Sequence, residues 1–113
     1  MNTTRIDRRE HGRIILAHGE VTGHCHEVTT IAGDIPGLDV AQFFEEPDGT
    51  RMLLVLEPCM LRHDEHAPIA LDPAAPVQAR QGDVLLHPAG PGAWRVIRQR
   101  EGYQPDVWRQ VAD

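Results

Sequence analysis

Ten glycines and nine prolines punctuate the 113 residues, and this punctuation constrains the fold more than any other feature of the sequence. Their clusters recur roughly every 8–12 residues, the interval of short strands that turn back on themselves. Helical periodicity is hard to find between them. Residues 13–17 (RIILA) form a β-branched run bounded by Gly12 and Gly19, and 24–31 alternate and are rich in Val and Thr. Both read as strands. Residues 38–44 read as a third strand. The string EPDGT at 46–50 then supplies an Asp-Gly hairpin signal, and 51–57 (RMLLVLE) return as a fourth, central strand. Residues 83–87 and 94–101 are further strands, with a turn or loop expected at 88–92 (PAGPG). The tail at 105–113 is readable either as a short helical turn, opened by Pro105 and Asp106, or as a last edge strand. Many short strands predict an all-β barrel or sandwich, one domain over residues 1–113.

Composition narrows the function classes. A hydrophobic share of 41% supports a core. The formal net charge of −6 argues against a nucleic-acid partner, which would need a basic face. No run approaches the length of a spanning helix, so no membrane partner is expected. Residues 1–12 are polar and lack the apolar stretch of a secretory signal. The two cysteines, Cys25 and Cys59, are therefore expected as reduced, inert thiols in a cytoplasmic protein. No serine occurs, which excludes a serine nucleophile.

The histidines carry the chemistry. His24-Cys25-His26 lies on a predicted strand, where alternation turns both imidazoles to one face, about two residues' rise apart, and Cys25 to the other. A second pair, His63 and His66, brackets Asp64 and Glu65. On a flat strand those two histidines face opposite sides, and they converge only where the backbone bends or bulges. If the strand stays flat, His63 and Glu65 share a face instead. The candidate metal ligands are thus His24, His26, His63, His66 and Glu65, with the choice between Glu65 and His66 open. Imidazoles with a carboxylate suit zinc, iron, manganese, nickel or copper. A site with an open position would take a small-molecule substrate and could make the protein an enzyme; a closed one would be structural.

Two motifs resemble those of cupins. Gly82 to Gly90 (GDVLLHPAG) has the glycine and Pro-x-Gly of the second cupin motif, and Gly19 to His26 (GEVTGHCH) approximates the first. The resemblance implies a small jelly-roll barrel with His24 and His26 as metal ligands. The third cupin histidine would fall at Ala93, and the glutamate expected after His26 is replaced around Thr30 and Ile31. His63, His66 or Glu65 would have to complete such a site.

A longer set of strings also resembles a family of small uncharacterised bacterial and phage proteins: GEVTGHCH, then His63-x-Glu65-His66-Ala67-Pro68-Ile69, then RQRE at 98–101. That family implies no activity, and its phage members suggest a structural module as an alternative. In it a Gln-Gly-Asp-Val strand opens the chain, whereas here it lies at 81–84. A rearrangement of this kind predicts that Val84–Leu86 pairs antiparallel with Trp94–Ile97. Homodimerisation through an edge strand is a further expectation. Seven further side chains are expected to be structural. Trp94 and Trp108 should be core or rim aromatics with satisfied indoles. His87 should be a polar strand-end residue, and the arginines 95, 98, 100 and 109 should pair with Glu101, Asp106 and other acids.

Overall fold

The computed structural model describes residues 3–6, 9–10, 13–18, 25–31 and 40–98. Within them the protein is all-β. Eleven strands follow in order: β1 (Thr4–Arg5), β2 (Arg9–Glu10), β3 (Arg13–His18), β4 (Cys25–Thr30), β5 (Ala41–Glu45), β6 (Arg51–Val55), β7 (Cys59–His63), β8 (His66–Leu71), β9 (Ala79–Gln81), β10 (Val84–Gly90) and β11 (Ala93–Arg98). Among the described residues no helix is long and apolar enough to cross a membrane. The expected C-terminal helical turn lies outside the described residues.

The strands form two antiparallel sheets, one of six strands in the order β1-β5-β6-β11-β10-β9 and one of five in the order β2-β3-β4-β7-β8. The chain changes sheet between hairpins, so β4 pairs with β7 across the intervening β5–β6 hairpin. The core lies between the sheets. In the smaller sheet Ile14, Val28, Leu61 and Ile69 form one cross-strand row. In the larger, Phe43, Leu53 and Trp94 form another. All but the half-buried Ile69 are nearly inaccessible, and each such side chain contributes about 1.5–3 kcal/mol by leaving water. Trp94 also donates its indole N–H to Val77 O at 2.8 Å, as expected of a buried tryptophan.

The expected strands at 13–17, 24–31, 51–57 and 83–87 fall on β3, β4, β6 and β10. The Asp48-Gly49 turn closes β5 on β6 with Gly49 at φ 92°. The predicted pairing of Val84–Leu86 with β11 is present, with Leu85 opposite Ile97 and Leu86 opposite Val96. The turn expected at 88–92 is shorter than read: Pro88 to Gly90 belong to β10, with a register shift between Pro88 and Gly90. Proline is tolerated there because it sits beside the bulge and beyond β9, which pairs only with Val84 to Leu86. The hairpin of β7 and β8 was not assigned from sequence, since β8 is an edge strand with Pro68 in it and mostly exposed residues.

Candidate functional site

Strand alternation in β4 sends His26 inward on the face it shares with Val28 and Thr30. Cys25 and Glu27 occupy the opposite face, where the Cys25 thiol donates to Glu27 Oε2 at 3.4 Å. Cys25 is thus turned away from His26, as expected. His24 lies outside the described residues. His26 is only 2% exposed, and a buried imidazole requires partners for its polar nitrogens.

Two tight hairpins converge on it, one from each sheet. His63 ends β7 and His66 begins β8, paired directly across a two-residue turn at Asp64 and Glu65. The H-x-x-H spacing therefore converges through a hairpin turn, with a register shift between Leu61 and His63. The imidazole centroids lie 4.3 Å apart for His26 and His63, 4.6 Å for His63 and His66, and 6.1 Å for His26 and His66. Glu65 sits in the turn, exposed, and its backbone N–H donates to His63 Nδ1 at 3.0 Å. Its carboxylate does not share a strand face with His63. This bond makes His63 Nδ1 an acceptor, so in the neutral ring the proton is on Nε2.

The second hairpin joins β9 to β10 through Gly82 and Asp83, with Gln81 opposite Val84. Gly82 has φ 59°, the positive angle that a two-residue hairpin needs at its first turn position. It also lets the His66 ring approach. A Cβ built on Gly82 would stand 2.6 Å from His66 Nε2.

Neither Gln81 nor Asp83 was singled out as a site residue from sequence, and both bond directly to His26. Gln81 is 2% exposed. Its Nε2 donates to Leu61 O at 3.1 Å and to Ala67 O at 3.0 Å. Carbonyls only accept, so the amide orientation is fixed, and Oε1 faces His26 Nδ1 at 2.9 Å. An amide oxygen cannot donate, so Nδ1 must carry the proton. The other ring nitrogen, Nε2, lies 3.0 Å from Asp83 Oδ1. Asp83 Oδ2 accepts from Arg98 Nε at 2.9 Å. Burial pushes the Asp83 carboxyl up, but hydrogen bonds from Arg98 and His26, and the charge of both, outweigh it and hold the group below the usual carboxylate range. Arg98 is the member of the basic cluster that acquires a described acidic partner, and that partner is Asp83. Glu101 and Asp106 lie outside the described residues.

The donor chemistry of this corner suits a divalent transition ion: three imidazoles and one carboxylate. As they stand, no three His, Cys, Asp or Glu side chains among the described residues form a ready ion-holding group. Asp83 engages Nε2 of His26, and the turn of the β7–β8 hairpin engages Nδ1 of His63. Two donors about 2.1 Å from one ion stand roughly 3.0–3.4 Å apart at angles of about 90–109°. The 3.0 Å between His26 Nε2 and Asp83 Oδ1 thus suits either a shared proton or a shared ion. His87 is exposed on β10 and bonds Gln78 Oε1 at 3.0 Å, a strand-end role.

No curated protein and no solved structure matches the chain. One family does, over residues 2–74. That span includes β4 and the β7–β8 hairpin, hence His26, His63 and His66, and stops short of Gln81, Asp83 and Arg98. Since the match covers well over half of the sequence, the chain belongs to the family described as a domain of unknown function (DUF8820).

Proposed function

We propose that the protein is a cupin-like metal-binding domain that holds one divalent transition-metal ion at the corner where the β7–β8 hairpin meets β4. The observation that carries this reading is the gathering of three imidazoles, with centroids 4.3–6.1 Å apart, around a buried histidine whose Nδ1–H is fixed by a side-chain oxygen. Histidine ligands usually donate their second N–H to such an acceptor, which directs the remaining nitrogen at the ion. His26 is the first ligand on this reading and His66 the second, since its Nε2 lies over Gly82 beside Asp83. His63, with Nδ1 already an acceptor, flanks them. An ion held by so few protein groups keeps positions open for water or a small substrate, where it acts as a Lewis acid.

Elemental analysis of untagged protein tests the proposal. About one equivalent of zinc, iron, manganese, nickel or copper per chain is expected, taken up again after chelation. Less than about half an equivalent, with no uptake on titration, rejects it.

A second reading rests on the Arg98–Asp83–His26 chain of bonds. It ties the larger sheet to the smaller, as a purely structural clasp in a non-catalytic module would. On that reading, mutation of Asp83 changes stability while metal content stays at zero.

A further inference from the structure

Resting on the metal-binding reading above, we propose that Asp83 is the carboxylate ligand of the ion and that Gln81 is the positioning residue that turns His26 Nε2 towards it. The sequence pattern offered Glu65 for the carboxylate. Glu65, however, sits in the β7–β8 turn with its backbone bonded to His63, whereas Asp83 Oδ1 is 3.0 Å from the one nitrogen of His26 that is free to change partner.

The case for Gln81 is one of elimination among hydrogen-bond roles. Both of its amide donors are spent on main-chain carbonyls of the opposite sheet, Leu61 on β7 and Ala67 on β8. A flipped amide would set an oxygen against two carbonyls and a donor against a ring nitrogen, losing two bonds. The orientation is therefore held by the backbone of the smaller sheet, and Oε1 accepts only from Nδ1–H. Gln81 is buried, so water does not substitute for it. With Nδ1 protonated throughout, an ion can bind His26 only through Nε2, on the side where Asp83 already stands. A bound ion would sit between Nε2 and Oδ1, with Gln81 still holding Nδ1–H.

Arg98 completes the arrangement from outside. It bonds Oδ2, the oxygen that His26 does not use, and so leaves Oδ1 for the ion. It also competes electrostatically with a cation for the same group.

The test uses the full chain, zinc binding by titration, and nitrogen NMR with cadmium-113 as a spectroscopic substitute. In the metal-free protein, His26 should show a protonated Nδ1. Cadmium should couple to Nε2 of His26 and leave Nδ1–H in place. Gln81→Met should weaken zinc binding about 10–100-fold, the range for loss of a bond behind a ligand. It should also allow the other tautomer to appear. Asp83→Asn, which alters a ligand itself, should weaken zinc binding beyond the roughly 100-fold upper end for loss of a bond behind a ligand. Arg98→Met breaks the same ion pair but spares the ligand, so its zinc affinity should be equal to wild type or higher. Cadmium coupling to Nδ1, a bare Nδ1 in the metal-free protein, or an Asp83→Asn chain that binds zinc like wild type would overturn the inference. Equal losses in Asp83→Asn and Arg98→Met would also overturn it, since Asp83 would then act only through its ion pair. A wild-type chain that takes up none of zinc, iron, manganese, nickel and copper rejects the metal-binding reading itself, and Asp83 as a ligand with it. The metal-free spectrum still decides the role of Gln81.

Discussion

Nε2 of His26 and Oδ1 of Asp83 meet at 3.0 Å across the junction of the two sheets, and the second oxygen of the same carboxylate holds Arg98. The buried imidazole therefore depends on a residue 57 positions away in the chain. Asp83→Ala should leave a buried ring nitrogen and a half-buried guanidinium without this acceptor. The expected loss is about 1–3 kcal/mol, towards the low end because Asp83 is about a quarter exposed and water partly screens it. Urea denaturation measures it. A change within about 0.5 kcal/mol, the range of an ordinary surface substitution, would mean that solvent replaces the carboxylate.

Gly82 separates two effects that usually come together. Its φ of 59° disfavours any side chain, and a Cβ there would stand 2.6 Å from His66 Nε2. Gly82→Ala should cost about 1–2 kcal/mol for the left-handed backbone. Asn tolerates that conformation better, so Gly82→Asn should recover part of the stability. Both place a Cβ against the exposed His66 ring, which can swing away at little cost. Zinc binding should therefore weaken in both variants, whatever their melting temperatures. Normal zinc affinity in the Asn variant would show that the position of His66 does not matter to the ion.

How far this corner was legible in the sequence depends on whether each residue's role is local. The face of His26 was legible, because alternation in a β-rich run fixes which way a side chain points. The strands with β-branched or apolar runs, 13–17 and 51–57, were legible for the same reason. The convergence of His63 and His66 was legible as conditional on a bend or bulge, and the structure has a turn at Asp64 and Glu65 and a register shift between Leu61 and His63. Asp64-Glu65 is not a strong hairpin signal like Asp48-Gly49, so the sequence left open whether the chain bends there or stays flat. Gln81 and Asp83 gave no local sign of a role. Each matters because β9 and β10 of one sheet pass beside β4, β7 and β8 of the other, and strand pattern alone does not specify that crossing. The only hint was Gly82-Asp83 itself, a turn dipeptide that puts an acid at the start of a strand. Arg98 was noticed as a charge, but its partner depended on the register of β11 against β10, which sets Arg98 opposite Val84, next to Asp83.

The two cysteines should differ sharply in chemistry. Cys59 lies in the core with no exposed surface, and burial pushes its thiol up to about 12. Cys25 is only partly buried. A disulfide reagent at pH 8 should therefore modify one thiol in the native protein and two after denaturation. The same burial predicts an alkaline limit to stability. The thiol ionises near pH 9 in the unfolded chain and near 12 in the folded one, so between those values the unfolded state binds fewer protons and stability falls as pH rises. The slope is at most about 1.4 kcal/mol per pH unit for one proton. The sequence makes this window a quiet one, since it contains no lysine and a single tyrosine. Cys59→Ala should lose stability at neutral pH through the cavity it leaves, and should lose this alkaline slope as well. Equal reactivity of both thiols in the native protein at pH 8, or an unchanged slope in the alanine variant, would place Cys59 in a more open setting than the core between the sheets.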